Sequence, residues 1–447
     1  MNKKEYLNWI AVACFVFLNA FVTEITAQDV TTNLSLSEAV TAALAANKDL
    51  QAAELDENIA LANYKQTEAV FLPQVTASYT AMSTDNPLNA FGFKLQQRTI
   101  TQNDFNPDLL NHPSGTKDFM GKLEVQQPLI NLDLLYKRKG AEKQTALYRF
   151  KTLRTKEYLT FEVQKAYLQL QLAYDANRVL EEALVTVKSV YKFTANHFQQ
   201  GLIKKTDLLN AQVHVATVES NLSKSKSAIH NSSDHLGLLM GRKMGLIYKT
   251  RDGFNDQVSK SDITQLIDSS RADFMAMQKA IESSDLMIKS SQMSYLPKLN
   301  AFGNYQYNDS HLTGFGARSY FAGIQLSWDI FKGGGTKNTI VAQKLERDKL
   351  SIQLTQQKDQ SQLDLNRSFR ALADARLEIL KLEESIEQSS EALRILQNRY
   401  QQGLENTTDV LMAETQLSQQ KFDLAQAVFT SNVTKAYMQF LTSSTTK

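Results

Sequence analysis

Cysteine is almost missing: the 447-residue chain carries one, Cys14. It lies inside the apolar run Trp9 to Val22, which follows Lys3 and Lys4 and precedes a small-residue exit ending at Ala27. That is the pattern of a secretory signal removed near Ala27–Gln28, with an apolar stretch too short for a comfortable bilayer crossing. More hydrophobic sequence follows Cys14, which argues against its being the lipid-bearing first residue of a lipoprotein. Beyond residue 27 no cysteine remains, so disulfides, thiolate metal sites and thiol catalysis are excluded. Long hydrophobic runs are missing too. No apolar run of about eighteen residues follows residue 28, so no transmembrane helix is available. An exported chain of this kind is either free beyond the inner membrane or crosses a membrane as a β-barrel, the other structure that satisfies its backbone in lipid. Charge of one sign is the third absence: the formal net charge is +2, with no bias toward nucleic acid.

Proline is confined to positions 73, 87, 107, 113, 128 and 297. The proline-free spans 129–296 and 298–447 permit long helices, and little else in the chain does. From about 134 to 200, apolar or aromatic residues recur at steps of three and four: Val163, Tyr167, Leu170, Tyr174, Leu180, Leu184, Val187, Tyr191 and Phe198. The stretch 336–402 repeats the design with Leu365, Phe369, Leu372, Leu382, Ile386, Leu393, Leu396 and Tyr400. Both indicate a narrow coiled-coil seam, and a helix of this span is roughly 100 Å long.

Each helix ends in the same words. "FQQGLIKKTDLLNAQ" at 198–212 returns as "YQQGLENTTDVLMAE" at 400–414, with eight of fifteen positions matching. Gly201 and Gly403 suit the positive φ that ends a helix, and Thr206-Asp207 and Thr408-Asp409 suit the start of the next. The motif predicts a hairpin tip, with return helices over 206 to about 236 and 408 to about 442. The duplication extends further. "FLPQVTASYTA" at 71–81 matches "YLPKLNAFGNY" at 295–305, and "FMGKLEVQQPLI" at 119–130 matches "YFAGIQLSWDIF" at 320–331. The two displacements are 224 and 201, so the first copy holds 23 more residues between its strands.

Those segments alternate with a period of two. Val75, Ala77, Tyr79 and Ala81 oppose Gln74, Thr76, Ser78 and Thr80; the other three segments behave alike. One face is greasy and the other wet. The pattern fits a membrane barrel with lipid outside and water inside, where Tyr305, Tyr307, Tyr320 and Trp328 would be interfacial aromatics. A soluble antiparallel sheet packed on one face gives the same alternation. In lipid, four strands cannot close alone, so the membrane reading requires several chains. The connections 82–118 and 308–319 read as loops facing the exterior.

The domain pattern expected is a signal peptide at 1–27, a first repeat at 28–236 (strands about 73–82 and 119–129, tip near 201), an irregular link at 237–262, and a second repeat at 263–447 (strands about 297–308 and 320–331, tip near 403).

With the twofold repeat, the Leu-Pro pairs at 72–73 and 296–297, the strand ends "QPLIN" and "WDIFKGGG", and the two Gly-Leu…Thr-Asp tips, the sequence resembles the TolC family of outer-membrane efflux and secretion channels. The resemblance implies a mainly α fold with a membrane β-barrel part: a homotrimer in which each chain gives four strands to a twelve-stranded barrel and its long helical hairpins to an α-helical tunnel through the periplasm. It implies a passive conduit in the outer membrane, with outer-membrane lipid around it. A periplasmic adaptor and an inner-membrane pump of RND, ABC or MFS type would dock at the tip turns Gly201-Leu202 and Gly403-Leu404.

The resemblance also implies an aperture near the tips. Tyr400 and Asp409 match a tyrosine and an aspartate of that constriction, and Thr206-Asp207 match their partners. Glu405 stands where an arginine latch is usual, and Met412 where a second pore aspartate is usual. Glu405 beside Asp207 would repel; a bridge from Lys204 or Lys205 to Glu405 is one alternative, and plain helix capping by Asp207 and Asp409 is another.

No catalytic residue, cofactor or metal site is expected. The histidines at 112, 197, 214, 230, 235 and 311 lack a ligand spacing, and "FKGGGTK" at 331–337 lacks the Gly-Lys-Ser/Thr ending of a phosphate loop. Two rival readings stand beside the channel: a periplasmic adaptor, which normally has a single hairpin, and a soluble coiled-coil scaffold.

Overall fold

The computed structural model describes residues 31–251 and 266–444. The expected signal peptide with Cys14, and residues 252–262 of the expected link, lie outside the described residues. In chain order the elements are β1 (Thr31–Leu34), α1 (Leu36–Ala46), α2 (Lys48–Gln66), a 3-10 turn (Thr67–Phe71), β2 (Gln74–Thr84), α3 (Pro87–Gln96), α4 (Pro107–Asn111), β3 (Thr116–Ile130), α5 (Leu132–Gln199), α6 (Lys205–Leu239), β4 (Ile247–Thr250), α7 (Ala272–Met293), β5 (Lys298–Asp309), β6 (Ala317–Ser327), α8 (Gly335–Gln401) and α9 (Thr407–Leu441). The long helices α5 and α8 have 68 and 67 residues, about 100 Å each at 1.5 Å per residue. Their return partners α6 and α9 have 35 each.

Two compact units divide the described chain: 31–46, 162–251 and 374–433 form one, and 47–161, 266–373 and 434–444 form the other. Each unit draws on both sequence repeats.

The four long strands make one antiparallel sheet in the order β2-β3-β5-β6, within the second unit. Its register puts Val75, Val125, Gly303 and Ala322 in one rung and Ala77, Leu123, Tyr305 and Tyr320 in the next, all on the greasy face. Thr76, Glu124, Asn304 and Phe321, then Ser78, Lys122, Gln306 and Ser319, form rungs on the wet face. Val75, Tyr79, Leu123, Tyr305, Tyr320, Ile324 and Leu326 are exposed. A soluble sheet would bury this face, because apolar area left in water forfeits about 25 cal/mol per Å². Among the described residues only the 308–319 connection lies over this face, where Tyr79 donates to the Leu312 carbonyl and Phe315 packs edge-on to Tyr307.

Three features differ from the sequence reading. The stretch 82–118 is not a plain loop, since Asn86 caps α3 and Asn106 caps α4, each followed by proline at the first helical position. The link 237–262 contains β4, which pairs in parallel with β1 through Thr32↔Tyr248 and Asn33↔Lys249. That small sheet is held to α5 by Tyr167, whose hydroxyl donates to the Leu34 carbonyl at 2.9 Å, and by Tyr174, which donates to the Tyr248 carbonyl at 2.9 Å. Finally, β6 ends at Ser327, so Trp328 lies just past the strand, its indole N–H donating to the Tyr295 carbonyl at 2.9 Å.

In the second unit the buried Leu365, Leu372, Met438 and Leu441 pack α8 on α9. Beside them Arg271 is only 2 % exposed. Its guanidinium grips Asp273 through two 2.7 Å bonds, donates to Ser361 Oγ at 2.6 Å and to the Leu441 carbonyl at 3.1 Å, and lies over Phe274. Burial works to raise the Asp273 carboxyl, but the Arg271 bonds and charge outweigh it and hold the group below the usual carboxylate range. The pair's contribution is therefore present above the ordinary carboxylate pKa and lost as pH falls through the depressed one.

Arg271→Met removes the two-bond partner of the Asp273 carboxylate, leaving the Gln357 amide at 2.8 Å and Arg154 at 3.9 Å, and is expected to cost about 3 kcal/mol at pH 7. Thermal unfolding followed by circular dichroism checks this, and the variant should also show a shallower loss of stability below pH 4 than the parent.

Candidate functional site

Both hairpin tips belong to the first unit. At the first, the Leu202 amide donates to the His197 carbonyl at 3.0 Å and the Gly201 amide to the Phe198 carbonyl at 2.9 Å; at the second, Leu404 donates to Arg399 at 3.0 Å and Gly403 to Tyr400 at 3.0 Å. Gly201 and Gly403 have φ of 74° and 75°. This is a Schellman cap, and a side chain at the glycine would be strained in the left-handed region. In such caps the residue after the glycine usually packs on a helix residue about five positions earlier. Here the residues behind it are His197 and Arg399, and Leu202 and Leu404 stay 64 % and 61 % exposed. Each tip thus presents a bare leucine.

The helix starts after the two turns are not alike. Asn406 caps α9: its Oδ1 accepts from the Asp409 amide at 2.9 Å while its Nδ2 donates to Asp409 Oδ2 at 2.6 Å. At the first tip Lys204 holds the cap position with no side-chain bond. The capping residue is therefore Asn406, and Asp207 and Asp409 lie inside the first turns of α6 and α9, where a carboxylate is favoured by the helix dipole. Thr206 is exposed and Asp207 half-buried.

Tyr400, 6 % exposed, is enclosed by its own chain. Its hydroxyl lies 2.7 Å from Thr194 Oγ1 on α5 and 2.9 Å from Thr407 Oγ1 at the start of α9, and its ring is 4.8 Å from Phe193. Around it Val187 and Val190 of α5, Ala211 of α6, Leu393 of α8, and Val410, Leu411 and Leu417 of α9 make one core. The two hairpins are locked to each other just behind the tips. Glu405 is taken by Arg399, Nε to Oε1 2.7 Å, so within the chain its ion partner is neither Lys204 nor Lys205.

A buried acid lies further down α9 and was not singled out from sequence. Burial pushes the Glu414 carboxyl above the usual carboxylate range, against the Ser418 hydroxyl that donates to it at 2.9 Å and the Lys421 charge; Glu182 across the core pushes it up further. Lys421 itself pairs with Glu182 at 2.7 Å. The first copy has Gln212 at the corresponding place, the one signal available in the sequence. Among the described residues no cluster of three His, Cys, Asp or Glu is fit to hold a metal ion. Nor is any described helix long and apolar enough to cross a membrane.

The family model for outer membrane efflux proteins matches residues 39–242 and 263–443, most of the chain. The chain belongs to that family. It is an outer-membrane efflux channel, and the family is one of channels rather than enzymes. Such channels work in tripartite efflux systems with an adaptor and an inner-membrane pump. Over 395 residues the chain is 22 % identical to the cation efflux system protein CusC of Escherichia coli strain K12, covering 85 % of this chain and 79 % of that protein. Its fold is similar to the CmeC outer membrane channel of Campylobacter jejuni (TM-score 0.78, 16 % identity, 91 % of this chain and 85 % of that one). It is similar also to VceC of Vibrio cholerae (0.74, 17 %, 92 % and 96 %). The adaptor and scaffold readings give way to this membership.

Glu414→Gln tests the electrostatics of the tip core. With the folded carboxyl raised, the folded state holds the proton more tightly, and stability declines as pH rises from the ordinary carboxylate pKa through the raised one. The glutamine variant is expected to be more stable than the parent at pH 8 and to lose that slope, read by thermal unfolding across pH 4–8.

Proposed function

We propose that three copies of the chain form the duct, each giving β2, β3, β5 and β6 to a twelve-stranded barrel in the outer membrane and its two helical hairpins to a periplasmic tunnel. The observation that carries this reading is the sheet with its greasy face bare and its outer strands β2 and β6 each paired on one side only. Lipid covers such a face, and neighbouring copies supply the missing edges.

The aromatic positions support a membrane band. Tyr305, Tyr307 and Tyr320 lie toward the loop end of the greasy face, with Tyr305 opposite Tyr320 and its ring 5.4 Å from that of Tyr307; Trp328 lies at the other end. Eight residue steps separate Tyr320 from Trp328, about 26 Å along the chain and about 20 Å along the normal at a 40° tilt. Leu345, Ile352 and Leu363 of α8 are also exposed, an apolar stripe suited to a neighbouring copy.

The bare Leu202 and Leu404, each held by its glycine at a fixed turn, suit docking of a periplasmic adaptor, with a pump of RND, ABC or MFS type behind it. Thr206, Asp207, Tyr400, Glu405 and Asp409 would form the aperture, in divided roles. Tyr400 braces the two hairpins from inside, Arg399 neutralises Glu405, and Asp207 and Asp409 supply the negative charge that passing solutes meet. The wet route needs no cofactor. The expected signal at 1–27 delivers the chain to the envelope, and the duplicated halves 28–236 and 263–447, joined through 237–262, each contribute one strand pair and one hairpin.

A heat-modifiable trimer in the outer-membrane fraction is the expected form, and recovery as a soluble monomer would refute the duct. In planar bilayers Asp409→Asn, which keeps the bond to Asn406 while removing charge, should weaken block by divalent cations severalfold. Unchanged block would remove Asp409 from the aperture.

A further inference from the structure

The wet face of the sheet is open along most of its length and covered at one end. Thr76, Ser78 and Ser319 are exposed, whereas Asp118, Asn308 and Ala317, on the same face near the β2–β3 connection, are buried. Asp118 is 0 % exposed and Asn308 1 %. What covers them is the turn that ends α3. The Gln97 amide donates to Asp118 Oδ1 at 2.9 Å and to the Lys117 carbonyl at 2.7 Å; Asn308 Nδ2 donates to Asp118 Oδ2 at 2.8 Å and to Gln96 Oε1 at 3.4 Å. Arg98 then reaches the last strand, its Nη2 donating to the Arg318 carbonyl at 2.9 Å.

Three consecutive residues, Gln96 to Arg98, thus fasten to β5, β3 and β6. Arg98 has a φ of 57°, so the backbone turns sharply there with a non-glycine residue. The segment behind this turn is braced internally by Lys94 with Asp104 at 2.7 Å and by the Phe91 and Phe105 rings at 5.7 Å.

A buried carboxylate is stable only where donors surround it, and both of its donors here are neutral amides, one from the sheet and one from the folded-back segment. Removing the segment would leave Asp118 half-satisfied. The packing is therefore specific, not an accidental resting place of a loop.

We propose that residues 85–115 form an inward-folded constriction at the exterior end of the duct, so that the exit is narrowed by three copies of α3 and its turn. The proposal rests on the barrel reading, in which the wet face lines the lumen. Twelve strands about 4.8 Å apart and tilted about 40° enclose a backbone diameter of about 24 Å. A helix is about 10 Å across with its side chains, so three of them leave a passage far narrower than the bare barrel. The side of α3 turned from the sheet carries Leu88, 81 % exposed, and Leu95.

The test uses the full chain in planar bilayers, and the single native cysteine, Cys14, leaves the remaining residues clear for thiol chemistry. Replacing residues 87–111 by a short glycine-serine link is expected to raise unit conductance at least about twofold. Leu88→Cys, a surface change that leaves the Asp118 network intact, should lower conductance when labelled with a bulky methanethiosulfonate reagent. Complete labelling without any change in conductance overturns the proposal, as does a shortened trimer that conducts like the parent. If the shortened chain fails to assemble, the labelled Leu88→Cys channel decides alone. A parent chain that forms no conducting trimer at all would instead sink the barrel reading, so the two failures are distinguishable.

Discussion

Everything in this molecule follows from a four-stranded sheet that is inside out by the standards of a water-soluble protein. Its greasy rungs, such as Ala77, Leu123, Tyr305 and Tyr320, are left exposed, while its polar rungs are covered only at the end where Asp118, Asn308 and Ala317 are buried. Water penalises the first arrangement by the area exposed, and lipid removes the penalty only if no backbone group is left unpaired. With β2 and β6 each lacking a neighbour on one side, a lone copy meets the first condition and fails the second. In the proposed trimer, insertion and assembly are therefore one event energetically.

The helical half solves a different problem. A 68-residue helix and a 67-residue helix must each turn back at a fixed point, or the register of the return helix is lost. Both turns use the same glycine-based cap, which fixes the turn by backbone geometry and leaves the next residue's side chain unconstrained. Beyond the cap, the duplicated sequences have diverged: Asn406 caps where Lys204 does not, and Tyr400, which joins Thr194 to Thr407, is replaced by Phe198 in the first copy. A phenylalanine has no hydroxyl to share. The second hairpin therefore carries the lock between the pair, and the first is the one held.

Long elements were legible in the sequence because their signal accumulates. Val163, Tyr167 and Leu170, all buried, repeat at helical steps, and the proline-free spans 129–296 and 298–447 hold the long helices. Features made by pairs far apart in the chain were not. β1 and β4 have four residues each, too few for a period, and Thr194 meets Tyr400 from 206 positions away. In α3 and α4 the error was to read 82–118 as a loop: Asn-Pro at 86–87 and 106–107 is also a favoured way to begin a helix. The tip glycines and the Thr-Asp positions were readable, while Asn406 as the true cap and Arg399 as the partner of Glu405 required coordinates.

The asymmetry between the repeats acquires a physical reason once the two sheet faces are assigned. Only the first copy has the 23 additional residues between its strands, and only that connection folds back onto the wet face through Gln96, Gln97 and Arg98. The shorter connection in the second copy goes the other way: Tyr79 on the greasy face donates to the Leu312 carbonyl, and Phe315 packs edge-on to Tyr307, ring centroids 5.6 Å apart. One connection thus treats the sheet as a wall to line and the other as a rim to decorate. In the proposed trimer this gives three inward segments rather than six. Six bodies about 10 Å wide do not fit a lumen about 24 Å across. In that trimer a second set of inward segments would have no room, so the shorter second connection is compatible with an open conduit.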